Sequence, residues 1–209
     1  MRNASTKQKV MDASGYLFFT KGYHGTSVRD IAGRAKVNVS LISYHFKNKQ
    51  GLLEFLMVEY FEPYIELLEE YAQKEDSKES FYQLIELIIQ YKKKHYQFTC
   101  FVHRELTLDN VLVREMMVTY LAKEKYILYR LFKQCLHGSG IKGTQLQYLF
   151  LQFKGMLMTP FMMPYDMRDQ NVLDHSDNYF SEQYSQTIIR WFDHLIESHK
   201  ISYKKEGII

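Results

Sequence analysis

Proline is scarce, with three residues in 209. A chain with so few helix breakers can sustain long helices. Cysteine is scarcer: Cys100 and Cys135 are the two present, too few for a disulfide framework and suited to a reducing compartment. No uncharged apolar run is long enough to span a bilayer, because Lys154 interrupts the best candidate. The opening residues, MRNASTKQK, lack the apolar core of a secretory leader. These absences point to a soluble cytoplasmic protein with no membrane partner. Alternating apolar and polar stretches of useful length are missing, so strands are not expected. The chain has no internal repeat and no low-complexity tract.

Catalytic signatures are missing too. None of the eight His has a Glu three residues before it, and neither G-x-S-x-G nor a Gly-rich phosphate loop occurs. No enzyme activity, catalytic residue or cofactor is assigned. Cys100-x-x-His103 and Cys135-x-His137 hold four groups that zinc favours, but their spacing fits no common zinc module. Both cysteines have apolar neighbours, as plain core cysteines do, and no metal is assigned.

Aromatic residues are plentiful at 15%, with 17 Tyr and 14 Phe. Charge is unevenly placed. Residues 1–50 hold nine Lys and Arg against two acids, a net +7, while the remainder is net −4. A basic segment beside an acidic body suits a polyanion partner, although a solvated basic surface has the same composition.

Helical periodicity runs through the chain. Residues 5–21 carry Val10, Ala13, Leu17 and Phe18 on one face, with Ser5 or Thr6 as cap. A second helix starts at Thr26 or Ser27, where Ser27 and Asp30 form a near capping box. Its stripe is Val28, Ile31, Ala32 and Ala35. After the turn Ala35-Lys36-Val37, Asn38 caps a third helix whose Ile42 and Phe46 point inward. Residues 27–46 thus read as helix, tight turn, short helix. From Lys49 a longer stripe runs through Leu53, Met57, Tyr60, Tyr64, Leu67 and Tyr71, with a kink expected at Pro63. A charged loop follows at 73–80, then helices over 80–97, 99–108, 111–137, 144–163 and 178–203.

The third helix begins Val39-Ser40-Leu41-Ile42-Ser43. Compact side chains at a helix start can enter a major groove about 12 Å wide and meet base edges there. Val39, Ser40, Leu41 and Ser43 are therefore the candidate base readers. Serine can bond either kind of base edge, and Val or Leu can pack on a thymine methyl. Tyr44, His45 and Lys49 follow as candidate phosphate holders. Thr26 and Ser27 offer a second phosphate site at a helix N-terminus.

These residues also carry a resemblance. Gly25 to Ala32, then Ala35-Lys36-Val37, then Ile42 to Leu53 resemble the DNA-binding domain of the TetR family of regulators over about residues 5–53. Lys36 stands where that family usually has Gly, Ser40 where Gly is frequent, and Ser43 where Tyr is frequent. The resemblance implies an all-α chain. Residues 1–48 would form a three-helix helix-turn-helix domain and residues 49–209 a helical regulatory and dimerisation body. It implies a homodimer on palindromic double-stranded DNA, paired through the helices near 144–163 and 178–203. The stripe Phe180, Tyr184, Ile188, Trp191 and Leu195 fits such a face, or an ordinary core within one chain. The phrase VNVSLISYHFKNKQGLLE resembles one branch of the family, from sporulating Firmicutes, which binds DNA near the chromosome origin and acts on the division protein FtsZ. A ligand-responsive transcriptional repressor is the alternative.

Two further groupings stay open. Tyr148, Phe150, Phe153, Met156, Met158, Phe161, Met162 and Met163 could line an apolar ligand pocket or fill a core. Arg104-Glu105 and Arg114-Glu115 could be surface ion pairs or mark an interaction face.

Overall fold

Ser5 begins the first helix: its hydroxyl oxygen accepts from Gln8 N at 3.2 Å. Helix α1 (Thr6–Lys21) ends at Gly22, whose φ of 77° suits glycine and whose N–H donates to Phe18 O. In the computed structural model, which describes residues 5–74, 78–162 and 179–206, eight more helices follow. They are α2 (Val28–Ala35), α3 (Val39–Phe46), α4 (Lys49–Gln73), α5 (Lys78–Lys94), α6 (Tyr96–Thr107), α7 (Val111–Cys135), α8 (Gly143–Met162) and α9 (Tyr179–Glu206). Among the described residues there is no strand, so the chain is all-α as expected. No described helix is long and apolar enough to cross a membrane. The expected break at 164–177 and Met163 lie outside the described residues.

Packing groups the chain into two compact units. One draws on Met1–Tyr64 and His95–Thr119, the other on Ile65–Lys94 and Tyr120–Ile209. The first unit therefore holds α1 to α3, most of α4, α6 and the start of α7. Helix α4 continues through Pro63, and the division between units falls just beyond it. Proline has no N–H to donate, so the ladder loses one bond there.

The first unit's core is built from Val10, Leu17, Phe18, Ile31, Ile42, Leu52, Leu53, Met57 and Phe101, all buried. Phe18 of α1 stacks on Phe101 of α6 with ring centroids 5.4 Å apart. In the second unit Phe81, Phe132, Phe153 and Phe192 form one ring cluster, with centroids 5.1 Å apart for Phe81–Phe192 and 5.2 Å for Phe132–Phe153. Such pairs add about 0.5–1.5 kcal/mol each beyond burial. Phe150, Phe153 and Phe161 of the aromatic and Met crowd are thus core, whereas Tyr148 and Met162 are exposed. Lys92 of α5 is buried with Glu124 of α7 3.8 Å away, and burial pulls the lysine below its usual pKa.

Three residues of the α9 stripe serve the chain's own core, while Tyr184 and Trp191 are half-buried. Phe180, Ile188 and Leu195 are buried within the single chain, where α9 packs on α5. Asp193 reinforces that packing by accepting from Lys78 and Tyr82 of α5. Among the described residues of this unit, the exposed large apolar side chains are Tyr148, Leu151 and Met162 of α8, with Tyr126 of α7 and Tyr179 of α9. Gly155 lies between Leu151 and Met162 on α8, and a Cβ there would meet nothing within 4 Å.

Candidate nucleic-acid interface

Helix α2 starts with the capping box its sequence suggests. Ser27 Oγ accepts from Asp30 N at 3.1 Å, and Ser27 N donates to Asp30 Oδ2 at 3.0 Å. The Ser27 hydroxyl also donates to Asp30 Oδ2 at 2.6 Å. These bonds to the charged form hold the Asp30 carboxyl below the usual carboxylate range. Asp30 takes the Glu role because one methylene less still reaches back to the cap.

The helix ends on Lys36, in the left-handed region at φ 55° and ψ 46°. Val37 N donates back to Ala32 O at 3.0 Å, closing a Schellman-type turn. The position where glycine is usual in the resembled family does require a left-handed backbone, and here a lysine adopts it. Three residues later α3 begins.

Asn38 caps α3 by accepting from Ser40 N at 2.9 Å. Helix α3 then divides cleanly. Ile42 and Phe46 are buried against the first unit's core. Ser40, Ser43 and His45 are exposed, as are Val39 at 39%, Leu41 at 38% and Tyr44 at 82%. All four candidate base readers are exposed, and Tyr44 and His45 follow them in the helix. The Tyr44 and His45 rings meet edge-on at 5.1 Å. A Tyr at such exposure, kept on a short helix, has its hydroxyl available to a partner.

Two of the candidate phosphate holders have partners within the protein. Thr26 is 1% exposed, and its hydroxyl donates to Gly22 O at 2.8 Å and Leu17 O at 3.2 Å. Its side chain ties the α1–α2 loop to the end of α1 and faces no solvent. Lys49 is half-buried, and Nζ donates to Tyr23 O and Thr26 O at 2.9 Å each. The ammonium also sits 4.3 Å from the Tyr23 ring centroid. Lys49 is first a clamp from the start of α4 to the loop before α2. Ser27 differs from them in being exposed at the start of α2, although its N–H and hydroxyl are both engaged by Asp30.

Sequence reasoning singled out Arg104 and Glu105 but missed their role, which is to brace this loop from α6. Arg104 donates to Phe19 O at 2.8 Å and Phe18 O at 2.6 Å, satisfying carbonyls at the C-terminus of α1. Glu105 is buried and accepts from Asn110 Nδ2 at 2.7 Å and from Tyr23 N at 3.4 Å. This pair is internal bracing, whereas Arg114 bonds Asp109 at the surface. Arg29, Lys36 and Lys47 are exposed cations around the two helices. Lys47 was legible beside Tyr44 and His45 as a basic flank of the third helix, whereas the net charge of the first fifty residues was the signal for Arg29. Cys100 and His103 are buried on α6, and among the described residues no three His, Cys, Asp or Glu are grouped to hold a metal.

Comparison with known proteins agrees with this geometry. Residues 10–56 match the family model "Bacterial regulatory proteins, tetR family". The chain is 39% identical over 190 residues to the "Probable HTH-type transcriptional regulator YttP" of Bacillus subtilis (strain 168), covering 90% of this chain and 92% of that one. Among solved structures, the TetR family transcriptional regulator PfmR from Thermus thermophilus is similar with a TM-score of 0.68 at 16% identity, covering 87% of this chain and 97% of that chain. The fatty acid degradation regulator FadR from Bacillus halodurans is similar with a TM-score of 0.66 at 18% identity, covering 90% and 97%. A helix-turn-helix with its outer face open, a matching family model and a relative similar over nearly the whole length together place the chain in the TetR family of bacterial regulatory proteins.

Proposed function

We propose that the chain is a homodimeric, sequence-specific DNA-binding regulator that is not an enzyme. Two copies of α3, related by a twofold axis, read a palindromic site in successive major grooves. The observation that carries this reading is the outward face of α3, where compact side chains stand exposed beside Tyr44. Val39, Ser40, Leu41 and Ser43 face bases. Ser27, Tyr44 and His45 hold phosphate, and Lys49 adds its charge while clamping the loop. By role, residues 1–48 are the reading head and 49–209 the regulatory and dimerisation body. The exposed α8 face at Tyr148, Leu151 and Met162 supports pairing with a second copy.

The regulator acts in the cytoplasm at the chromosome on cell division, in the manner of RefZ of sporulating bacteria and through FtsZ. The likeness of VNVSLISYHFKNKQGLLE to that protein supports this output. A second reading is a ligand-responsive repressor, favoured by similarity over most of the chain to a regulator of fatty acid degradation. In that case a small molecule binds one dimer state better and so releases the DNA. Genome-wide recovery of bound DNA from cells separates the two. Repeated sites around the origin, mostly off promoters, support the division regulator. Peaks at one or two promoters support the repressor. If wild type recovers no more DNA than a Tyr44→Ala, Ser43→Ala variant, the DNA reading itself is wrong.

A further inference from the structure

A serine hydroxyl has one hydrogen to give and two lone-pair sites. At Ser40 the direction of that hydrogen is fixed by its neighbour. Asn38 Oδ1 lies 2.9 Å from Ser40 N and 2.9 Å from Ser40 Oγ. The backbone N–H can only donate, so the amide atom facing it must be the oxygen and not the nitrogen. That oxygen can only accept. The Ser40 hydroxyl hydrogen therefore points at Asn38, and exposed Ser40 presents lone pairs to solvent.

From this we infer that Ser40 is an acceptor-only base reader, which selects adenine or cytosine over guanine or thymine on the strand it touches, and that Asn38 is the positioning residue that sets this polarity. The inference rests on the proposed placement of α3 in a major groove. There adenine offers its N6 amino group as a donor beside its N7 acceptor and cytosine offers its N4 amino group, while guanine (O6 and N7) and thymine (O4) offer acceptors and no donor. A lone pair meets a partner on an amino base and a second lone pair on a keto base. To serve a keto base the hydroxyl must leave Asn38, giving up one hydrogen bond. One such bond corresponds to roughly a 2- to 12-fold difference in affinity. Ser40 does not separate adenine from cytosine, since both carry the donor. One position in each half-site is therefore two-fold degenerate, unlike positions read by bidentate side chains.

The cap residue matters to this mechanism. Asn38 serves the helix end and the reader with the same oxygen. Glycine at an N-cap costs only a few tenths of a kcal/mol relative to asparagine. Asn38→Gly thus frees the Ser40 hydroxyl to rotate while leaving α3 capped by water.

The test selects duplexes from a randomised pool with full-length wild type, Ser40→Ala and Asn38→Gly, then measures affinity for all four bases at the affected position. That position is the one whose preference disappears in Ser40→Ala. Wild type should prefer adenine and cytosine there by roughly 2- to 12-fold. Asn38→Gly should accept all four bases there and keep its preferences elsewhere. A wild-type preference for guanine or thymine at that position overturns the inference. So does discrimination that survives in Asn38→Gly, or a wild-type motif that Ser40→Ala leaves unchanged. If Asn38→Gly does not fold, the wild-type base identity and Ser40→Ala still decide. A pool that yields no motif with wild type refutes the placement of α3 in the groove, whereas a motif with the wrong base refutes only the polarity.

Discussion

Lys49→Met should destabilise the folded protein and weaken DNA binding together. The ammonium makes two 2.9 Å bonds to the carbonyls of Tyr23 and Thr26. Hydrogen bonds to a charged group contribute about 1.5–3 kcal/mol each. Lys49 is half-buried, so water replaces part of that loss, and about 1–3 kcal/mol in total is expected. Methionine keeps the stem against the Tyr23 ring but donates nothing. For a chain of this size, each kcal/mol moves Tm by about 2–4 °C, so the melt should fall by roughly 2–12 °C. Thr26 directly precedes the Ser27 cap, so loosening it also blurs the start of α2 and lowers affinity for DNA. Urea unfolding and fluorescence anisotropy across a salt series read both effects. A lysine that only touched phosphate would leave stability within about 0.5 kcal/mol and lower the salt slope by about 0.9. That pattern would refute the clamp. One ammonium hydrogen remains for a phosphate, so a smaller salt slope alongside the lost stability is compatible with both roles.

Lys36→Gly should raise stability by about 0.5–1 kcal/mol, because the left-handed backbone at φ 55° strains a residue with a Cβ more than it strains glycine; thermal melts check this. Gly33→Ala and Gly51→Ala should move in opposite directions. A Cβ at Gly33 meets nothing within 4 Å, so alanine should stabilise α2 by about 1 kcal/mol. A Cβ at Gly51 would lie 2.2 Å from Phe46 O, forcing α3 and α4 apart at a cost of about 1–3 kcal/mol. Asp30 gives a pH signature. Its folded pKa is depressed by the Ser27 bonds, so its contribution to stability is present above the unfolded value near pH ~4 and fades as pH falls through the folded value. Ser27→Ala should move the Asp30 titration back up, as followed by its carboxyl carbon shift.

The helices of the reading head were legible because each has a side-chain start signal. Ser5, Ser27 and Asn38 all cap where the sequence suggested. The inward pair Ile42 and Phe46 followed from helical spacing, and with it the outward set. Spacing could not say whose core a stripe serves. Phe180, Ile188 and Leu195 have the period of a dimer seam, yet they are buried within one chain. Side-chain chemistry told only part of the loop's structure. A threonine and a lysine beside a helix start suggest phosphate, but Thr26 and Lys49 turn toward backbone carbonyls that only the folded loop brings near. The Tyr23–Glu105 contact spans 82 residues and has no local signature. The direction of the Ser40 hydroxyl was equally hidden, since it depends on a partner two residues back and on which amide atom faces it.

A methylation-interference footprint on the selected site tests the DNA-reading proposal most directly. Guanine N7 lies in the major groove and adenine N3 in the minor groove, so the two modified bases report on different grooves. If paired α3 helices enter the major groove, interfering guanines fall in two symmetric clusters. Their centres should lie one helical turn apart, about 10 bp, or a whole multiple of it. Interference confined to adenine N3, or a single cluster with no symmetric mate, would contradict the paired major-groove reading.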